Sequence, residues 1–132
     1  MNDPHTHIIV GAGHVGGRCA QALREFGWDG EILLLGQESA LPYERPPLSK
    51  ALLTGERSAD QCALRAPQDY DSDRITHRVA QVAALDTAAR SVTLASGERI
   101  AYSAVLLATG GHLRRLAIPG SELPGVLGLR TL

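Results

Sequence analysis

The chain has 132 residues, 44% hydrophobic, 20% charged and 4% aromatic, which suits one soluble globular domain and excludes a large multi-domain machine. Thirteen Lys and Arg stand against fourteen Asp and Glu, a formal charge of −1, so no field of one sign exists to gather nucleic acid or an anionic membrane. Recognition must come from shaped sites.

The opening, Met1-Asn2-Asp3-Pro4-His5-Thr6-His7, has no basic leader region, and the apolar run after it is too short for a signal core or a membrane span. A soluble, unprocessed protein is expected. Ile8-Ile9-Val10 reads as a strand buried on both faces that runs into a sharp turn at Gly11-Ala12-Gly13. A helix follows, with Val15, Cys19, Ala22, Leu23 and Phe26 as one apolar stripe, Arg18, Gln21, Arg24 and Glu25 facing away, and Gly27 as the stop. Ile32 to Leu35 is a second buried strand, which completes a strand, helix, strand unit with a right-handed crossover and parallel strands.

From Gly36 to Ile75 the periodicity weakens, and only a short helix from about Pro47 through Leu53 is expected amid loop. Val82 to Leu85, Ser91 to Leu94 and Arg99 to Tyr102 then read as an antiparallel meander. Val105 to Ala108 is a last buried strand, which stops at Thr109-Gly110-Gly111 beside the first glycine loop. The fold class is α/β: a Rossmann-like βαβ dinucleotide-binding unit with a parallel sheet, plus a three-stranded antiparallel meander.

Gly11-Ala12-Gly13-His14-Val15-Gly16 fits G-x-G-x-x-G between a strand and a helix. The first glycine permits the turn, the second lets the backbone approach a pyrophosphate, and the third lets helix and strand pack closely. The helix N-terminus then offers unpaired N–H groups and a positive dipole end to the phosphate. An acidic residue about twenty positions on should meet the adenosine ribose; Glu38 is the candidate, with Gln37 beside it. Glu38 read alone is also compatible with a solvated turn charge.

Leu41-Pro42-Tyr43-Glu44-Arg45-Pro46-Pro47-Leu48-Ser49-Lys50 is unusual, because its adjacent prolines fix a rigid corner that presents cations. Lys50 is the single lysine among twelve arginines, and its compact ammonium can hydrogen-bond a ring nitrogen or carbonyl where a planar guanidinium would not fit. A proline-rich partner motif and a plain surface corner are the competing readings. Cys19 and Cys62 fit neither a CxxC pair nor a disulfide scaffold, so a reducing cytoplasm is expected. The five histidines have no metal-ligand spacing, and no nucleophile elbow surrounds Ser49 or Ser121.

Together, Gly11 to Gly16, Leu41 to Lys50, Leu107-Ala108-Thr109-Gly110, Pro119-Gly120 and Leu129-Arg130-Thr131-Leu132 resemble, in order and spacing, the amino-terminal part of the FAD-dependent ferredoxin reductases of the putidaredoxin and rhodocoxin reductase type. The resemblance implies a flavoprotein that passes electrons from NADH through FAD to a small iron–sulfur protein, a ferredoxin, serving a cytochrome P450 or ring-hydroxylating oxygenase. It implies Gly11, Gly13, His14, Val15 and Gly16 around the FAD pyrophosphate and Gln37 and Glu38 at the adenosine ribose. Arg45, Pro46 and Lys50 would lie toward the flavin, with Lys50 tuning it, Val82 at the adenine, and Ala108, Thr109, Gly110 and Arg130 along the cofactor. Gln37 departs from the family's usual acid, which implies weaker ribose binding with Glu38 substituting.

The same resemblance implies that residues 1–132 form an amino-terminal FAD-binding fragment, without the NADH-binding and C-terminal domains, and unable to turn over alone. Neither a nucleic-acid nor a membrane partner is expected, whereas uncovered sheet faces favour association. A non-catalytic dinucleotide-binding or sensing module is the alternative of a different class; a flavin disulfide reductase would need a dithiol that Cys19 and Cys62 do not supply.

Overall fold

The computed structural model describes residues 5–132, so Met1 to Pro4, where the absent leader was read, lie outside the described residues. Strands β1 (Thr6–Val10) and β2 (Glu31–Gly36) flank helix α1 (His14–Glu25). A 3-10 turn at Pro46–Ser49, another at Asp60–Cys62 and helix α2 (Pro67–Ser72) precede β3 (Ile75–Val79). Strands β4 (Val82–Asp86), β5 (Ser91–Leu94) and β6 (Arg99–Ala101) follow, then β7 (Ala104–Leu107). The first sheet is parallel in the order β3-β2-β1-β7, and β4-β5-β6 form a separate antiparallel meander.

Alternation along the central strands divides the core into two layers. Ile8, Val10, Leu33 and Leu35 point to one face and meet Val92, Leu94 and Tyr102 of the meander side. Ile9, Ile32 and Leu34 point to the other and meet Ala20 of α1, Tyr70 of α2 and Ile75. Both faces of β1 and β2 are covered, which is why their sequences are continuously apolar. Each such fully buried Ile or Leu contributes roughly 1.5–3 kcal/mol.

Several expectations need correction. Val15 and Phe26 do not belong to the buried side of α1: they are 65% and 90% exposed, and Gly16, Gly17 and Ala20 are its buried positions instead. Gly17 is covered by the loops after β2, where a Cβ on it would come within 2.6 Å of the Pro42 Cβ and 3.3 Å of Leu64. Arg24 does not simply face away. Its guanidinium donates to the carbonyls of Trp28 and Gly30 at 2.6 and 2.7 Å and to those of Asp73 and Arg74 at 2.6 and 2.9 Å. One side chain thereby ties the loops that lead into β2 and β3.

The expected helix from Pro47 through Leu53 is only the 3-10 turn Pro46–Ser49; beyond it the bonds are irregular, with the Lys50 and Leu52 N–H groups both on the Pro47 carbonyl and Thr54 N–H on that of Lys50. Helix α2 stands where the weak periodicity up to Ile75 predicts loop, and strand β3, which begins there, is not among the expected strands. Polar Thr76, His77 and Arg78 hide β3, which sits at the sheet edge and needs only Ile75 buried. β7 is likewise an edge strand, half-buried with Leu107 57% exposed, because its outer side has no neighbour among the described residues. The meander, the parallel pairing and the Gly27 stop, whose N–H reaches the Arg24 carbonyl at 3.0 Å, follow the sequence reading.

Gly16 is the tightest joint between α1 and the sheet, for a Cβ there would collide with the Gly11 carbonyl. Gly16→Ala should therefore destabilise the protein by about 1–3 kcal/mol despite the better helix propensity of Ala, a loss to be read from urea denaturation.

Candidate dinucleotide groove

The strand order reverses direction between β1 and β7: from β1 the chain moves to β2 on one side, and it returns to the other side only at β7. Such a switch point leaves a crevice outside the carboxyl ends of the strands. Here the crevice is a groove of about 730 Å³, within the range of sites that take cofactors. Three backbone hydrogen bonds close its floor: Gly11 N–H to the Leu35 carbonyl at 2.7 Å, Ala108 N–H to Val10 at 2.8 Å, and Ala80 N–H to Gly36 at 2.7 Å.

Gly11 adopts φ +114, a region that L side chains rarely occupy, and a Cβ there would strike the Ala108 carbonyl. The first glycine thus seats the β1–α1 loop directly on the loop after β7. Gly13 differs, since a Cβ on it would meet nothing within 4 Å, so its backbone is open toward the groove. Gly13 is also the N-cap of α1, with no side-chain cap and no acidic residue in the first turn. The first-turn N–H groups lack intrahelical acceptors by geometry, so the helix presents donors and its positive end to whatever occupies the groove. Those features fit the diphosphate of a dinucleotide.

Gly11, Gly13, His14, Val15, Gln37, Glu38, Arg45, Val82, Ala108, Thr109, Gly110 and Arg130 all line this groove. Val15, misplaced in the core by periodicity, is exposed because it forms part of that wall. Gly16 does not line it, and its part is the packing described above. Pro46 and Lys50 line an adjoining hollow of about 370 Å³ that shares His14 with the main groove.

Glu38 lines the groove and is also engaged within the protein. Its carboxylate accepts from the Tyr43 hydroxyl at 2.5 Å and from Arg45 Nη2 at 2.8 Å. Glu38 and Arg45, expected toward opposite ends of the cofactor, are one ion pair and share a location, with Gln37 beside them on the groove wall. Burial works to raise the Glu38 carboxyl, but the hydrogen bonds from Tyr43 and Arg45 outweigh it and hold the group below its ordinary 4.5. The Tyr43 hydroxyl is pushed up by burial and by the same bond to Glu38.

Tyr43 of the proline-rich string joins this site without being among the expected residues; its backbone bridges Ala63, a contact that no local pattern in the sequence shows. A third hollow, about 510 Å³ between α2 and β3, lacks a glycine loop, and its Tyr70 hydroxyl and His77 Nε2 are sealed from solvent. Among the described residues no group of three or more His, Cys, Asp and Glu could hold a metal, and no helix is long and apolar enough to cross a membrane.

A family model for pyridine nucleotide-disulphide oxidoreductases matches residues 5–132. The chain belongs to that family. It is 44% identical to the probable ferredoxin reductase CtmF of Castellaniella defragrans over 133 residues, covering 100% of this chain and 32% of the relative. It is 42% identical to a rubredoxin-NAD(+) reductase of Pseudomonas putida, covering 95% of this chain and 33% of that one. Among solved structures, a ferredoxin reductase of Rhodopseudomonas palustris superposes with a TM-score of 0.89 at 39% identity, over 98% of this chain and 32% of that one. The putidaredoxin reductase–putidaredoxin complex gives 0.79 at 36% identity, over 90% of this chain and 28% of that chain. The chain spans about a third of the length of the curated relatives it matches.

A depressed folded-state carboxyl contributes stability that is present above its unfolded value and is lost as pH falls through the folded value. For Glu38 the loss lies below its ordinary 4.5. Glu38→Gln should therefore lose less stability than the parent between about pH 5 and pH 3, which thermal melts across that range will read.

Proposed function

We propose that the groove holds FAD and that this chain is the amino-terminal FAD-binding part of an NADH-dependent reductase delivering electrons to a small iron–sulfur protein. The observation that carries this reading is the uncapped N-terminus of α1, opening onto a groove at the sheet's switch point. The relatives named as ferredoxin and rubredoxin reductases support the electron acceptor class, and their greater length supports separate NADH-binding and C-terminal units elsewhere in the parent. Leu107, Leu116, Ile118, Leu123 and Leu127 are exposed along and after β7, which supports a covering segment from that parent and, without one, association. Two free thiols, Cys19 and Cys62, support a cytoplasmic setting.

The residues divide the work by chemistry. Backbone N–H groups from Gly13 onward stabilise the diphosphate, and Gly11 keeps that loop close to Ala108. Gln37 offers both a donor and an acceptor to the ribose hydroxyls, and Val82 an apolar surface to the adenine. Thr109, Gly110 and Arg130 line the wall beyond β7. When bound, FAD would supply the passage from a two-electron donor to a one-electron acceptor. Pro46 stiffens the corner that carries Lys50, and both residues line the hollow joined to the groove at His14. A cation beside the ring system favours its more electron-rich form.

Full-length protein purified in the dark should be yellow and should release FAD on denaturation. Colourless protein whose melting temperature responds to NADH alone would instead establish a dinucleotide-sensing module. Lys50→Met in the full-length protein should lower the flavin midpoint potential by on the order of tens of mV. An unchanged potential in spectroelectrochemical titration would remove Lys50 from that role.

A further inference from the structure

Tyr43 is 4% exposed and does not line the groove, yet its hydroxyl touches Glu38 and Arg45, which do, and the amide of Leu132 next to Thr131, which does. A phenol has one proton to donate and two lone pairs to accept with. Tyr43 donates to Glu38 Oε2 at 2.5 Å, and accepts from Arg45 Nη1 at 2.9 Å and from the Leu132 N–H at 3.2 Å. Its capacity is full. Arg45 then donates through Nη2 to Glu38 Oε1 at 2.8 Å and through Nη1 to the Arg130 carbonyl at 2.5 Å. Arg130, held by its backbone, lays its Nη2 3.0 Å from the position of a Cβ on Gly110, on the wall beyond β7. The connected set runs from the end of β2 through the proline corner to residues 130–132 and across to the loop after β7.

Charge gives this set a direction. Two guanidinium groups stand against one carboxylate, so the cluster carries an excess positive charge on the wall of a groove whose helix terminus already favours anions. The geometry points to Tyr43 as a positioning residue: its hydroxyl fixes Arg45 and Arg130 as a two-cation clamp for the diphosphate of the bound dinucleotide, without touching that ligand. The clamp rests on the FAD reading above. Phe at position 43 would keep the buried ring but leave the Leu132 N–H and one Glu38 oxygen without their partner, freeing both the corner and the last residues.

The test uses full-length protein stripped of flavin. In fluorescence titrations with FAD, Tyr43→Phe should raise Kd about tenfold. Arg45→Ala should raise it also, and the double variant should cost less than the two single penalties together, because Tyr43 acts partly through that guanidinium. Amide hydrogen exchange at Leu132 in the flavin-free protein should accelerate about tenfold in Tyr43→Phe while the central β1 and β2 amides keep their protection. An unchanged Kd, or penalties that simply add, overturns the clamp. Wild-type protein that binds no FAD overturns the proposed function instead, and exchange then decides on the joint by itself: an unaltered Leu132 amide overturns it. If Tyr43→Phe does not fold, Arg45→Lys takes its place in the FAD titration: it keeps the charge but not the fork that Tyr43, Glu38 and the Arg130 carbonyl hold, so Kd should rise, and an unchanged Kd overturns the clamp.

Discussion

The groove depends on a backbone contact that admits no side chain. Gly11 packs against the Ala108 carbonyl, and Gly16 packs against the carbonyl of Gly11, so β1, the start of α1 and the loop after β7 are stacked within van der Waals reach. Any Cβ at either glycine would separate them. Because they are not separated, the carboxyl ends of β1, β2 and β7 converge, and the N-terminus of α1 is aimed at the point where they meet. Dense packing makes that aim rigid.

The helix terminus so aimed is left uncapped, which costs stability that a Ser or Asp at the N-cap would ordinarily restore. The donors stay exposed toward the groove, and on the proposed function that departure from the stability optimum serves the ligand. The opposite wall shows a complementary economy. Glu38 offsets part of the charge of Arg45 and Arg130 and fixes the geometry of the corner, yet leaves the cluster positive. Its exposure of about a quarter lets solvent screen the pair, so the ion pair sets position more than it adds stability.

Behind the groove, the scaffold is held from two sides. The meander seals one face of the parallel sheet through Val92, Leu94 and Tyr102, and the helices seal the other. Arg24 adds a polar fastening, with four carbonyls from two loops gathered on one guanidinium. A planar five-donor fork suits that task, and an ammonium does not. Chain regions without such support, from Leu113 to Leu132, remain largely exposed and irregular.

The local rules of the sequence reached far. Continuous β-branched and aliphatic runs disclosed the buried strands β1 and β2, alternation disclosed the meander, and the spacing of Gly11, Gly13 and Gly16 disclosed the loop, because each signal comes from residues close together in the chain. The edge strand β3 escaped, since an edge needs few apolar residues and Thr76-His77-Arg78 carries no period. Hydrophobicity places Val15 and Phe26 on the buried face of α1, but it does not record close approach: the Gly11 carbonyl decides that Gly16 is buried, and Pro42 and Leu64 decide it for Gly17. Tertiary structure alone decided that Glu38 belongs to Arg45 and Tyr43, and that the Arg130 carbonyl and Leu132 amide close on them. Those partners are up to 89 positions apart, and contacts at such separation arise from how the chain folds back, which neither composition nor periodicity encodes.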